Sequence, residues 1–401
     1  MKILYLNNYL TEEIVHKRGL RARNAAGSNR VMRLSQALVA ADCHVTILST
    51  AISMRIHFKK WFHSKCETNE NGIDTIFAAA VGVPYLSVVM ELIIFLMALI
   101  NQQKRLRPDA VMIYNFSPVF ALAAVYLKAF TRCRLVLNME DVSEPRLSDW
   151  NPRNEVRAFQ QIILWICMKL IICLSCAAVI PTERFKRFLP GDLPVVTVTG
   201  CMDIPRISDH AVGYSPRILF AGKIEFVHGV NVLMDALLHL DQDDANFSHF
   251  EIDICGIGSK AVWIDKQLKK LSRLTLRSHG FVSDEKYRNL LNQADICLVL
   301  QNPSGRYAKY KTPSKAYEYL GNGKCVISSD SGDLGDLPDN VIIICNPFNA
   351  IKLVDIISHL IQRENRIESY KFNAFCFAKQ NFDLKINGMK MKSVIKRLDS
   401  E

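Results

Sequence analysis

The sequence holds no short-period repeat and no low-complexity tract, which excludes solenoids, collagen-like rods and disordered arrays. It has twelve cysteines, yet the only Cys-x-x-Cys is Cys173 with Cys176, and no second pair or histidines are spaced to complete a zinc site. Scattered through apolar runs, the thiols are expected to be buried and free, in a reducing compartment. A clean membrane-spanning run is also missing. "VVMELIIFLMALI" (88–100) is too short and contains Glu91, while "IILWICMKLIICLSCAAVI" (162–180) carries Lys169 at its middle and is closed by Pro181. The second run therefore reads as a buried helix leading into a strand. The opening "MKILYLNNYL" has no signal-peptide pattern and reads as a first buried strand. The expectation is a cytoplasmic protein, free or resting on the cytoplasmic face of the inner membrane.

What is present is length and positive charge. A chain of 401 residues is too long for one ordinary core, so two domains are expected. The formal charge is +11, and it is unevenly spread: residues 1–200 hold 24 Lys/Arg against 15 Asp/Glu, a net of +9. From Val15 to Ala41 no acid interrupts Lys17, Arg18, Arg21, Arg23, Arg30 and Arg33. A second basic stretch, 55–65, mixes Arg55, Lys59, Lys60 and Lys65 with Phe58, Trp61 and Phe62. Cations among aromatics suit an anionic membrane interface, and the same mix would suit single-stranded nucleic acid or a solvated loop. A polyprenyl-diphosphate acceptor accounts for both charge and rings, so nucleic acid is not the expected partner.

Strand and helix patterns alternate along both halves. "KILYL" is followed, after a long polar loop, by a helical face at Val31, Leu34 and Leu38 and by the β-branched "HVTILS". A helix in 86–105 and the strands "DAVMIY", "CRLVLNM" and "AAVIPT" continue the series. Periodicity fades between Pro181 and Ser215, then restarts with "RILFAGK", "FEIDICGIGS", "LTLRSHGF", "ADICLVL", "CVISSD" and "VIIICN". Such alternation means parallel sheets covered by helices, an α/β fold of two Rossmann-like lobes facing across a cleft. The expected domains are 1–200, with the C-terminal helix 380–401 returning to complete it, and 201–380.

The chemistry gathers at strand ends. In "KTPSKAYEYLGNG", proline suits the first helical position, which makes Thr312 the expected N-cap. Ser314 and Lys315 then lie where backbone N–H groups have no helical partner, an anion site strengthened by the ammonium. Glu318 follows one turn on, placed to accept from a hydroxyl beside that anion. In "FAGKIEFVHGVN", Lys223 and His228 follow a strand. Gly256 and Gly258 of "CGIGS" would let the backbone approach a flat base, although such a pair is commonly a plain turn. Glu140 and Asp141 follow the strand 133–139 and could act as a base or balance positive charge on a reacting sugar, or simply cap a helix. "DQDD" (241–244) contains Asp-x-Asp, a metal-holding pattern in some transferases, but it reads as a solvated loop, and no metal or cofactor is expected.

In this order the motifs resemble the retaining, metal-independent glycosyltransferases of the family 4 (group 1) type, two-lobed GT-B enzymes of bacterial surface polysaccharide assembly such as lipopolysaccharide and capsule. The likeness is strongest over 217–330 and weaker over 27–49. It implies transfer of a sugar from a nucleotide-diphosphate sugar, held by the second lobe, to a glycan or polyprenyl-diphosphate-linked acceptor at the basic first lobe. It also implies that Lys223, Ser314 and Lys315 meet the donor diphosphate, that Glu318 binds the ribose, and that Gly27 lies in a glycine loop facing the phosphates. Four positions depart from the pattern: Tyr310 stands where the first glutamate of Glu-x7-Glu would be, His228 where a second basic ligand would be, Asn115 where a histidine often lies near the donor sugar, and Ser28 where the first loop's glycine pair would continue after Gly27. An epimerase of the same shape and a binding subunit without chemistry are the rival readings.

Overall fold

The computed structural model describes residues 1–20, 25–50, 62–81, 86–142, 155–205, 215–242, 250–305, 308–310 and 313–397. The chain divides into two compact units, Met1–Cys201 with Leu384–Glu401, and Met202–Asp383. Each is a parallel sheet under helices, the arrangement that repeated strand–helix alternation demands.

The first unit opens with β1 (Lys2–Asn7), α1 (Glu12–Arg18), α2 (Ala25–Ala40) and β2 (His44–Ser49). Short strands β3 (Phe62–His63), β4 (Cys66–Glu70), β5 (Ile73–Phe77) and β6 (Ala80–Val81) follow. Then come α3 (Leu86–Leu106), β7 (Ala110–Tyr114), α4 (Pro118–Phe130), β8 (Arg134–Asn138), α5 (Glu155–Leu174), β9 (Ala177–Ile180) and β10 (Val195–Thr197). The main sheet runs β10-β9-β8-β7-β1-β2-β5-β4, parallel except for the β4–β5 hairpin at its edge. Central strands are covered on both faces, so "KILYLN" is buried from its second residue onward.

Two elements here have local causes that the periodic pattern hides. Helix α1 interrupts the expected polar loop: Thr11 Oγ1 accepts from the Ile14 N–H at 3.2 Å, and Gly19 closes the helix at φ 63°. The β4–β5 hairpin turns on Asn71 (φ 53°) and Gly72 (φ 75°), the dipeptide that two-residue hairpins favour.

The second unit contains β11 (Arg217–Lys223), α6 (Val230–Gln242), β12 (Glu251–Ile257), α7 (Ala261–Leu268), β13 (Thr275–Gly280), α8 (Asp284–Gln293) and β14 (Ile296–Val299). It ends with α9 (Ser314–Gly321), β15 (Cys325–Ser328), β16 (Ile343–Ile344), α10 (Ala350–Ile361) and α11 (Glu364–Asn381). All pairings in its sheet, β13-β12-β11-β14-β15-β16, are parallel. In chain order this is 3-2-1-4-5-6, the doubly wound arrangement in which ligands sit beyond the carboxyl ends where the order reverses. Helix α12 (Leu384–Arg397) returns to the first unit, where Met391, Val394 and Ile395 share one buried core with Val31, Leu34 and Leu38 of α2. A methyl group at Gly388 would meet the Ala37 carbonyl oxygen at 1.8 Å, so the two helices approach at backbone distance.

Several sequence expectations change here. Arg18 is buried, donating to the carbonyls of Ser64 (3.3 Å) and Ala78 (2.8 Å), so it ties chain segments together rather than facing a partner. Arg21, Arg23, Arg55, Phe58, Lys59, Lys60 and Trp61 lie outside the described residues. Asp241 is buried at the end of α6 and accepts from the N–H groups of Ser272, Arg273 and Leu274, each at 2.8 Å; it closes a loop and is not part of a solvated tract. Helix α5 is not buried all round: Trp165, Ile166 and Leu170 are exposed on it. All twelve cysteines are free thiols.

Candidate functional site

In the second unit the order reverses between β11 and β14, which pair directly. Lys223 is the last residue of β11 and is exposed. The crossover after β14 leads into α9, so the start of α9 and Lys223 lie at the same, carboxyl end of neighbouring strands. A single 3-10 turn (Phe226–His228) then leads into α6 and leaves His228 half-buried.

Helix α9 anchors one side through buried Ala316, Tyr317, Tyr319 and Leu320 and turns Ser314 outward. Its N-cap position is Pro313, at ψ 80° and without a side-chain cap, so the helix starts one residue later than the proline rule suggested; Thr312 is outside the described residues. The Lys315 ammonium lies 3.8 Å from the Tyr287 ring centroid and 3.8 Å from Glu318 Oε2. Burial and the neighbouring Glu318 carboxylate push the Tyr287 phenol up, so that ring stays neutral under the ammonium. The result is a half-exposed cation, held over an aromatic face, beside a helix start.

The glycines of "CGIGS" have a packing role within the unit. A methyl at Gly256 would meet the Gly222 carbonyl oxygen at 1.7 Å, and one at Gly258 the Ile224 oxygen at 2.2 Å. What the missing side chains admit is the chain's own backbone at Gly222 and Ile224. Glu225 fastens the same loops, accepting from the Ser259 N–H (2.7 Å) and hydroxyl (2.8 Å). Those two bonds hold its carboxyl below the ordinary value.

In the first unit, polar side chains converge beyond β1, β7 and β8. Arg30 of α2 donates from Nε to Glu140 Oε1 at 2.8 Å, with both side chains largely buried. Arg30 also donates to the carbonyls of Val198 and Thr199. Asn138 Nδ2 donates to the same Glu140 oxygen at 2.9 Å, and the Tyr5 hydroxyl donates to Asn138 Oδ1 at 2.6 Å. Burial alone would lower Arg30; the carboxylate beside it overrides that and raises it. Glu140 is thus a partner in a largely buried ion pair with Arg30.

Asn115 sits at φ 54°, and its Oδ1 accepts from the N–H groups of Glu140 (2.6 Å) and Asp141 (2.9 Å). Its Nδ2 donates to Asp141 Oδ2 at 2.7 Å. Asn115 therefore positions the loop after β8. Asp141 is the more exposed of the pair; surrounding protein and the adjacent Glu140 push its carboxyl above the ordinary value, against the pull of Asn115. Gly27 is buried in the first turn of α2, so it belongs to a helix and not to a loop. Among the described residues, no three of His, Cys, Asp and Glu stand together as metal ligands.

Residues 215–363 match the family model for glycosyl transferases group 1. The second unit carries a group 1 glycosyl transferase domain. Solved structures match the whole chain in fold. Sucrose-phosphate synthase from Thermosynechococcus elongatus aligns at TM-score 0.67 and 13% identity, covering 100% of both chains. HepE of Anabaena, in complex with UDP, aligns at 0.63 and 13%, covering 99% of this chain and 100% of that one. WaaG, a glycosyltransferase involved in lipopolysaccharide biosynthesis, aligns at 0.59 and 12%, covering 98% and 99%. No curated protein matches the sequence. At these identities the likeness is one of fold, the two-lobed GT-B arrangement of glycosyltransferases.

Within the glycosyl transferase domain the fold brings Lys223 to the strand end where α9 begins, with Ser314, Lys315 and Glu318 in that helix. Sequence reasoning missed Tyr287, whose only signal was an aromatic in a short polar helix. In the first unit it missed Arg30 as the partner of Glu140, a pair 110 residues apart.

Proposed function

We propose that this glycosyltransferase moves a sugar, with retention and without a metal ion, from a nucleoside-diphosphate sugar to a lipid-linked glycan in surface polysaccharide assembly. The observation that carries this is the cationic edge of the second unit: exposed Lys223 and the Ser314–Lys315 helix start at the carboxyl ends of β11 and β14. A leaving diphosphate gathers negative charge as the sugar departs, and fixed ammonium groups with helix N–H groups stabilise that charge most where it develops. Glu318 is one turn away, able to accept from a ribose hydroxyl. Asp141, the exposed carboxylate just after β8 in the first unit, is the candidate to steady the developing sugar cation or take the acceptor proton. The fold likeness to a UDP-bound neighbour and to a lipopolysaccharide glycosyltransferase supports donor and pathway class. No helix among the described residues is long and apolar enough to cross a membrane, so a lipid-linked acceptor would be met at the surface.

The test is sugar transfer and thermal stabilisation by UDP, GDP and ADP, for the parent chain and for Lys223→Ala and Lys315→Ala. Turnover and nucleotide stabilisation both unchanged in the variants would overturn the assignment. Tyr310, in place of an acidic contact to the transferred sugar, favours one second reading: a subunit that binds the donor and does not turn it over. Nucleotide stabilisation without release of nucleoside diphosphate, acceptor present, would select it.

A further inference from the structure

Helix α4 packs against both α3 and α5, and the three form one layer over the first unit's sheet. Their outer surface carries many large apolar side chains. On α3, Val89, Ile93 and Met97 are exposed at four-residue spacing, with Met97 at 64%. Leu122 and Val125 continue the surface on α4, and Ile166 and Leu170 on α5. Aromatic rings stand exposed at Phe130 (77%) and Trp165. The opposite layer, α2 with α12, exposes only Ile386 and Met389 among its large apolar side chains. A soluble surface seldom leaves so many large apolar groups on one face without a partner for them.

The charges on this layer narrow what that partner is. Lys104, Lys128 and Lys169, one on each helix, are exposed. Glu91 is the one acid with a described side chain on the three helices; it is half-buried, and burial pushes its carboxyl up to about 7. A second copy of the same face would oppose lysine with lysine. An anionic, apolar-backed surface matches both parts of the pattern, with rings at headgroup depth and lysines toward phosphate. We propose that the outer face of α3, α4 and α5 is the surface on which this protein lies against an anionic lipid bilayer, without crossing it. The face belongs to the first unit and shares no residue with the donor cluster of the second, so it stands or falls apart from the transfer reaction.

The experiment is co-sedimentation of the full chain with vesicles of phosphatidylcholine, with and without phosphatidylglycerol. The expected result is binding to the anionic vesicles, weakened by salt. Met97→Glu with Ile166→Glu should lower the bound fraction about tenfold or more while the melting temperature holds, since both side chains are exposed. Lys128→Ala with Lys169→Ala should weaken binding to anionic vesicles only. If the glutamate pair lowers the melting temperature, Met97→Ser with Ile166→Ser gives the same comparison at neutral charge. Three results would overturn the proposal: parent protein left in the supernatant, folded face variants that bind like the parent, or a parent dimer that the face variants split without any vesicle binding.

Discussion

The two units place charged groups beyond the carboxyl ends of similar sheets, and they treat those groups in opposite ways. In the first unit Arg30 and Glu140 neutralise each other at 2.8 Å, under further hydrogen bonds from Asn138 and to two carbonyls. In the second, Lys223 and Ser314 are exposed, and Lys315 is half-exposed over a ring with Glu318 Oε2 at a looser 3.8 Å. Burying an ion demands a partner, whereas a binding cation must keep its field directed outward. One arrangement therefore holds a fold together, and the other is suited to meet a diphosphate. Changing the members of each set should separate stability from activity.

The largest effect is expected from Arg30→Ala. It leaves the Glu140 carboxylate largely buried and without its cation, which costs about 3–5 kcal/mol. Thermal or urea unfolding of the first unit should show it, and an unchanged midpoint would mean that the pair is not structural. Next is Lys315→Ala. Removing one fixed donor to a developing anion costs about 100- to 1,000-fold in kcat, close to 3–4 kcal/mol, with little change in unfolding because the side chain is half-exposed. Steady-state transfer assays paired with a melting curve decide between the two kinds of residue. A third change, Gly256→Ala, affects the scaffold under the cations: with the Gly222 oxygen 1.7 Å from the new methyl and φ at 145°, about 1–3 kcal/mol of second-unit stability should be lost. A midpoint like that of the parent would show that the β11–β12 loops are not packed at backbone distance.

The sheets were legible in the sequence because each central strand is buried on both faces and reads as an unbroken apolar run. "RILFAGK" is strand from Arg217 to Lys223, and the helix expected over 284–293 runs from Asp284 to Gln293. Short elements escaped. Helix α1 rests on a Thr11 cap and a glycine stop rather than on an apolar stripe, and the β4–β5 hairpin alternates weakly although its Asn-Gly turn was visible. The network around Glu140 was not legible, because Arg30, Asn115, Asn138 and Glu140 are joined by folding and have no shared spacing. Sequence alone could place a carboxylate at a strand end but not say whether a cation already occupied it.

Glu91 sharpens the contrast from the other side, as a half-buried carboxylate with no cation paired to it among the described residues. Burial raises it from 4.5 to about 7. The sign follows from linkage: a carboxyl that binds its proton more tightly in the folded chain favours folding most below the unfolded value. That contribution fades as pH rises through about 7. Glu91→Gln keeps the shape and removes the charge, so it should match the parent near pH 5 and exceed it at pH 8. The gain should be ~1–2 kcal/mol, below the full shift because the side chain is only half-buried. Melting curves of both chains across that range are the measurement. Parallel curves would mean that the Glu91 carboxylate has found a partner in the folded chain, as Glu140 has, and that burial in this unit always comes with compensation.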